Sequence, residues 1–476
     1  MALEQTWRWF GPKDPVTLKE IRQTGASAVV TALHQIPIGE VWPVDAILER
    51  KRLIEAEGLT WSVAESLPVH EHIKKYAGNY RELIGKYTES IGNLGKCGVD
   101  TVCYNFMPVL DWSRTDLQVE FKDGSITTRF EGRVFAAFDL FILKRPGAEK
   151  SYSDEQVRAA RAYFDDLNNA QKDALVQTIL LGFPGSEEAY TIKQFSDAIR
   201  EYQSIGDHEL MEHLHAFLKE IIPAAEESGV FMALHPDDPP WSLLGLPRIV
   251  SNADDLEQHL KAVDSPSNGL TFCTGSLGAS VKNNVGEMAQ RLAQKVNFVH
   301  LRNVSRNDRG DFLEDNHLEG DVDMYSVMKT MVIEQRRREQ EGTKNRRMPF
   351  RPDHGHLTIA DRLKPRVYPG YSLFGRISEL RGLEPGSNAP CRNDHRDRMI
   401  PRFIIQPSWQ PREQEEGTEP ACPDFVGACR SIYDSTNRRF VERLSRVDRL
   451  VEQAGTQRND SQFLLGFSYG RRTPYQ

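Results

Sequence analysis

The chain has 476 residues, 39% of them hydrophobic and 27% charged, with a formal net charge of -8. Its acidic balance argues against a polyanion-binding molecule, and no run approaches the ~20 apolar residues of a membrane span, so nucleic acid and membrane are not expected partners. The opening Met1-Ala-Leu-Glu-Gln-Thr-Trp-Arg-Trp lacks the apolar stretch of a secretory signal, which makes the cytoplasm the expected location and a small molecule the expected ligand.

Short β-prone runs followed by turn chemistry and helical patterns recur along the chain. The expected strands are Thr6–Phe10, Ala26–Ala32, Thr60–Glu65, Asp100–Asn105, Val230–His235, Leu270–Cys273, Asn297–Arg302 and Met348–Arg351. Eight such alternations favour a closed (β/α)8 barrel over an open sheet. Thr17-Leu-Lys-Glu20 is a capping box that opens a helix, and Gly25 is placed to end it. Val44–Glu57, Tyr80–Gly95, Asp254–Val263, Val285–Lys295 and Asp321–Glu341 carry the spacing of helices with one apolar face.

More than 100 residues separate the fourth strand from the fifth. This insertion, about 113–228, should begin with a hairpin of Leu117–Phe121 and Ile126–Phe130 across Asp123-Gly124. Helices follow it, with capping boxes at Ser153–Gln156 and Thr191–Gln194. An insertion at the catalytic end of a barrel commonly serves as a lid or an oligomer contact, and both readings stand here. The barrel domain is expected to cover 1–384. From Pro385 to Gln476 the chain uses arginine and no lysine, Pro407–Pro423 is rich in Pro, Glu and Gln, and only Thr436–Ala454 has a helical pattern. The expectation for 385–476 is a largely irregular extension outside the barrel.

Four of these strands run directly into a metal-capable side chain: His235, Cys273, His300 and Asp353. The C-terminal strand ends of a parallel barrel converge, so residues distant in sequence can share one ion there. A mixed N, S, N, O set suits manganese, iron or zinc better than magnesium or calcium. The six cysteines (Cys97, Cys103, Cys273, Cys391, Cys422, Cys429) are too sparse for a disulfide framework, which leaves Cys273 free to ligate.

His354 follows Asp353 directly and could act as general acid or base beside the ion. Tyr368 and Tyr371 flank a Pro-Gly turn at the same end, where a phenol could join the chemistry or simply pack. Arg302 and Arg351 lie near the expected mouth, where a guanidinium could bind a substrate carboxylate or pair with a barrel acid. His213 and His215, two apart on a helix, point to different faces and argue against a shared ion. His70 and His72 follow the third strand and could reach a substrate or remain solvent-facing, and His34, His208, His259, His317 and His395 receive no role.

The strings Arg8-Trp-Phe-Gly11, Ser62–Glu71, Thr101–Pro108, Leu234–Pro240, Phe272–Ser276, His300-Leu-Arg302, Gly320–Tyr325 and Arg351–His356 resemble mannonate dehydratase, from the N-terminus to about Glu384. That resemblance implies a barrel of the xylose-isomerase-like type, Mn2+ or Fe2+, and a hydro-lyase that converts D-mannonate to 2-dehydro-3-deoxy-D-gluconate in hexuronate breakdown. It carries the metal ligands onto His235, Cys273, His300 and Asp353 and the acid/base pair onto His354 and Tyr371, so Tyr371 is preferred to Tyr368. It also implies a homodimer. The chemistry would take the C2 proton, building an enediolate that a cation stabilises, and protonate the departing C3 hydroxyl.

Two other readings compete with this one. A sugar isomerase or epimerase on the same barrel would lean on carboxylate ligands, and Cys273 argues against it. A binding protein acting through the Arg-rich tail is disfavoured because its arginines alternate with Asp and Glu.

Overall fold

Strands β1 (Glu4–Arg8), β2 (Ala28–Thr31), β3 (Thr60–Glu65) and β4 (Thr101–Tyr104) come first, and the insertion contributes β5 (Asp116–Glu120) and β6 (Ile126–Phe130). Then follow β7 (Phe231–Leu234), β8 (Asn268–Cys273), β9 (Val296–Leu301), β10 (Asn303–Arg306), β11 (Phe312–Asp315) and β12 (Pro349–Pro352). Eight of them close a parallel barrel in the order β1-β12-β9-β8-β7-β4-β3-β2, as the alternation of strands and helices predicts. The computed structural model describes residues 3–180, 191–365 and 367–388. Its contacts divide the chain into Met1–Arg392 and Asn393–Gln476. The Pro407–Pro423 stretch and the helix expected at Thr436–Ala454 lie outside the described residues.

The helices form where the caps direct them. Thr17 accepts from the Glu20 amide to start Leu18–Thr24, and Gly25, at φ 98°, ends it in the left-handed region. Ser153 and Thr191 close the two capping boxes of the insertion. The first strand lies two residues earlier than expected. The reason is local: the Asp14 carboxylate accepts from the Phe10 amide at 2.7 Å, which draws the chain out of the sheet before Gly11.

Successive strand residues face opposite sides. Val30, Val63, Cys103, Ala233 and Phe298 form a small cluster apart from the main core. Neighbours such as Val29, Ala64, Val102, Met232 and Val299 join that main core together with Ile21, Ile47, Leu83 and Phe217 from the helices. This alternation places the first set inside the barrel and the second beneath the helices. It also sends His300, two residues after Phe298, inward at a C-terminal strand end. Register then aligns the rim, because Cys273 pairs with His300 and His300 with Arg351, so three chemistry-bearing residues stand abreast on adjacent strands.

A second sheet, in the order β10-β11-β6-β5, stands beside the barrel. The expected hairpin supplies β5 and β6, and a second hairpin, which the hydropathy pattern does not announce, supplies β10 and β11. Antiparallel pairing of β11 with β6 joins the insertion to the segment that follows His300.

His259 gives the barrel's helical layer an acid limit. On the helix Ala253–Ala262 it is buried, donates from Nε2 to the Ile249 carbonyl at 2.7 Å, and has His215 at 3.1 Å from Nδ1. Burial lowers its pKa from 6.5 to about 4. The unfolded chain therefore takes up a proton below pH 6.5 that the native chain refuses until pH about 4, so this contribution is complete above 6.5 and is lost as pH falls. Urea unfolding at about pH 7 and about pH 5 should show the difference in stability shrink by on the order of 1–2 kcal/mol in His259→Gln. An unchanged difference would remove His259 from the acid response.

Candidate active site

The strand ends bring three of the four expected ligands together. The donor atoms of His235, Cys273 and His300 all lie within 4.8 Å of one another. His235 follows β7 and donates from Nδ1 to the Pro236 carbonyl at 2.7 Å, which leaves Nε2 facing His300 Nδ1 at 3.2 Å. Burial lowers the His235 pKa against the pull of Glu65, Asp238 and Asp353, so the ring stays neutral, the form a ligand needs. Cys273 ends β8 with its Sγ 3.1 Å from Ser276 Oγ. Asp353 stands beside the trio, Oδ2 3.8 Å from His300 Nδ1.

Two imidazole nitrogens in close opposition, with a thiol and a carboxylate beside them, fit a borderline divalent cation such as manganese, iron or zinc. The far nitrogen of His300 lies 3.5 Å from Glu65 Oε1, a buried carboxylate held in turn by Arg351. Glu65, Cys103 and His300 form a second close group. There, however, burial pushes the Cys103 thiol well above its usual range, and both oxygens of Glu65 are held by Arg351, at 3.0 and 2.8 Å.

Both expected arginines lie at the site, each against acids of the chain. Arg351 binds Glu65 with two donors and Asp353 Oδ1 with a third at 2.6 Å. Arg302 reaches Asp238 Oδ2 at 2.5 Å and Glu314 Oε2 at 2.8 Å, and Arg114 meets the same two acids at 3.1 and 2.6 Å. Burial would raise Asp353, but Arg351, His354 and His300 hold it well below the usual carboxylate range. Glu314 behaves likewise: burial opposes ionisation, and Arg302, His354 and Arg114 still bring its pKa to about 2. Close approach of Arg302 requires Gly275, where a Cβ would lie 2.4 Å from the guanidinium Nε.

Breaking one of these pairs leaves a buried charge alone. Arg351→Met removes the cation shared by Glu65 and Asp353 and should destabilise the protein by ~3–5 kcal/mol. Urea unfolding measures this, and a loss below about 1 kcal/mol would show that the acids find other partners.

His354 and Tyr371 complete the cavity. The tyrosine OH is 3.4 Å from Asp353 Oδ1, and His354 Nε2 is 3.7 Å from the same oxygen. The two rings meet edge to face, with centroids 5.4 Å apart. Burial first and Asp353 second push the Tyr371 phenol upward, partly opposed by Arg351. His354 has φ 51°, unusual for a side chain of its size, and a Cβ on Gly370 would lie 2.9 Å from its ring. A cavity is bounded by His235, Arg302, Arg351, Asp353, His354 and Tyr371, with Trp112 on its wall. Tyr368 packs on Phe10 instead, centroids 4.7 Å apart.

Four histidines away from the site have local duties. His213 donates to the Lys74 carbonyl and His215 faces His259, so they share no site. His70 caps the helix Glu71–Lys75, and His72 lies 2.8 Å from Asn79. Sequence reasoning missed Glu65, Arg114, Asp238 and Glu314 as members of the site. Glu65 and Asp238 carried a signal, since each sits at the end of a barrel strand or just past it. Arg114 and Glu314 carried none, because their pairing spans 200 residues.

Residues 3–391 match the D-mannonate dehydratase family model. Among curated relatives, the mannonate dehydratase of Marinomonas sp. (strain MWYL1) is 53% identical over 388 residues, covering 81% of this chain and 99% of the relative. That of Chromohalobacter salexigens is 52% identical over 386 residues, covering 80% and 98%. The crystal structure of mannonate dehydratase from Streptococcus suis serotype 2 aligns with a TM-score of 0.62 at 34% identity, over 81% of this chain and 93% of that one.

Proposed function

The chain belongs to the D-mannonate dehydratase family and catalyses the dehydration of D-mannonate, and we propose on that premise which of its residues divide the work. The observation that carries the assignment is the convergence of His235, Cys273 and His300 beside Asp353 at the mouth of the barrel. These four would hold Mn2+ or Fe2+, and the donor chemistry supports that choice. An ion so held supplies positive charge opposite the negative charge that builds on the substrate carboxylate.

The chain's own residues then move protons and hold oxygens. His354, backed by a carboxylate at its other nitrogen, is arranged to take the C2 proton, as an imidazole with a carboxylate behind it accepts a proton on the far nitrogen. Tyr371, whose OH faces the same Asp353 oxygen as His354 Nε2, gives its proton to the departing C3 hydroxyl. Arg302 and Arg351, each paired with two buried acids, lock Asp238, Glu314, Glu65 and Asp353 in place along the cavity wall. Deep burial of His354, Tyr371, Arg302 and Arg351 keeps bulk water from the reacting carbons.

Purified protein incubated with manganese and D-mannonate should release a 2-keto-3-deoxy acid and no ketose. Chelator treatment should stop the reaction, and added manganese should restore it. A ketose product would instead support the isomerase reading. A cytoplasmic homodimer is proposed with this reading. Family membership supports it, and among the described residues no helix is long and apolar enough to cross a membrane.

A further inference from the structure

Resting on the reading in which His354 carries a proton, we propose that Glu314 is a positioning residue, brought to the site by the side sheet to hold Nδ1 of His354 and aim Nε2 at the substrate. Glu314 Oε1 lies 3.2 Å from His354 Nδ1, while Nε2 faces Asp353 at 3.7 Å on the cavity side. A neutral imidazole has one N–H, and of the two carboxylates beside the ring the nearer one, at Nδ1, draws the proton there by charge, leaving the lone pair on Nε2. The ring is confined as well. Trp112 meets it edge to face at 6.0 Å, Tyr371 does so at 5.4 Å, and Gly370 leaves no room for a side chain beside it.

The carboxylate is itself immobilised at both ends. Arg114 and Arg302 hold its two oxygens at 2.6 and 2.8 Å, and both arginines are anchored a second time on Asp238. Its backbone is fixed across the sheet, where Glu314 pairs with Val304 and its carbonyl accepts from Thr127 Oγ1 at 2.9 Å and from His356 Nε2 at 3.1 Å. Thr127 lies on β6, so the insertion braces the backbone that carries this carboxylate. Glu314 is not among the residues that bound the cavity, and it acts through His354.

The test is a double-mutant cycle on the metal-loaded enzyme, with kcat, KM, Tm and bound metal measured for each protein. Glu314→Gln should lower kcat by ~10–100-fold while KM stays within about threefold. Glu314→Asp, which keeps the charge for both arginines but withdraws it from the imidazole, should also lower kcat, and it carries the cycle if the Gln protein does not fold. In the His354→Asn background either change should cost little more, because the residue it acts through is gone. Losses that multiply in the double variant, an unchanged kcat in the single ones, a lost activity matched by lost metal in a folded variant, or loss of fold in both the Gln and the Asp protein overturn the proposal. Wild-type protein without dehydratase activity, or His354→Asn as active as wild type, overturns the reading beneath it as well.

Discussion

Cys273→Ala, purified with excess manganese, is expected to lose ~10³-fold or more in kcat/KM for D-mannonate, a deficit of several kcal/mol in transition-state stabilisation. The thiol is fully buried at the end of β8, and its closest polar neighbour is Ser276 Oγ at 3.1 Å. Alanine there leaves the strand register with His300 intact, so Tm should change far less than activity. Metal analysis of the purified variant should show the ion reduced or absent, and His300→Ala should behave the same way. Full activity in either protein would dissolve the proposed coordination, because these residues have no other route to the chemistry.

The second large effect concerns the proton steps. His354→Asn is expected to lower kcat by ~10²–10⁴-fold and Tyr371→Phe by a similar amount, the usual range for removing a positioned acid or base. The two should differ in D2O. If His354 takes the C2 proton, Tyr371→Phe still exchanges the C2 hydrogen of D-mannonate with solvent, whereas His354→Asn does not. Mass spectrometry of recovered substrate reads this directly. Exchange that survives in His354→Asn and disappears in Tyr371→Phe would reverse the two roles without disturbing the metal set.

The barrel was legible because its signals are local. Eight β-prone runs, each with a cap or turn after it, mark the strands, and period-2 burial puts His300 and Cys273 on the inner face. The boundary error in β1 came from a single side chain, Asp14, which no propensity registers. The hairpin of β10 and β11 was hidden by its polarity: Asn303–Asp315 offers Val304, Phe312 and Leu313 as its only large apolar residues, too few to announce a strand pair.

The rest of the site, Glu65, Arg114, Asp238 and Glu314, was harder to read for a related reason. A buried acid looks like a surface acid until its partner is known, and the partners of Glu314, Asp238 and Glu65 lie far away in sequence, 200, 124 and 286 residues for Arg114, Arg114 and Arg351. Charge compensation at that range is a property of the closed barrel. The metal-capable residues escaped this limit because His and Cys at a strand end are chemically distinctive by themselves.

The pairing of β11 with β6 makes the segment after the fourth strand an unsuitable place for transplantation. A chimera that takes this segment from a distant barrel would arrive with a different edge and a different threonine, and Glu314 would settle at a new height beneath the imidazole. Engineers seeking a slimmer enzyme should therefore trim the helices at 154–200 first and leave residues 113–131 as they are.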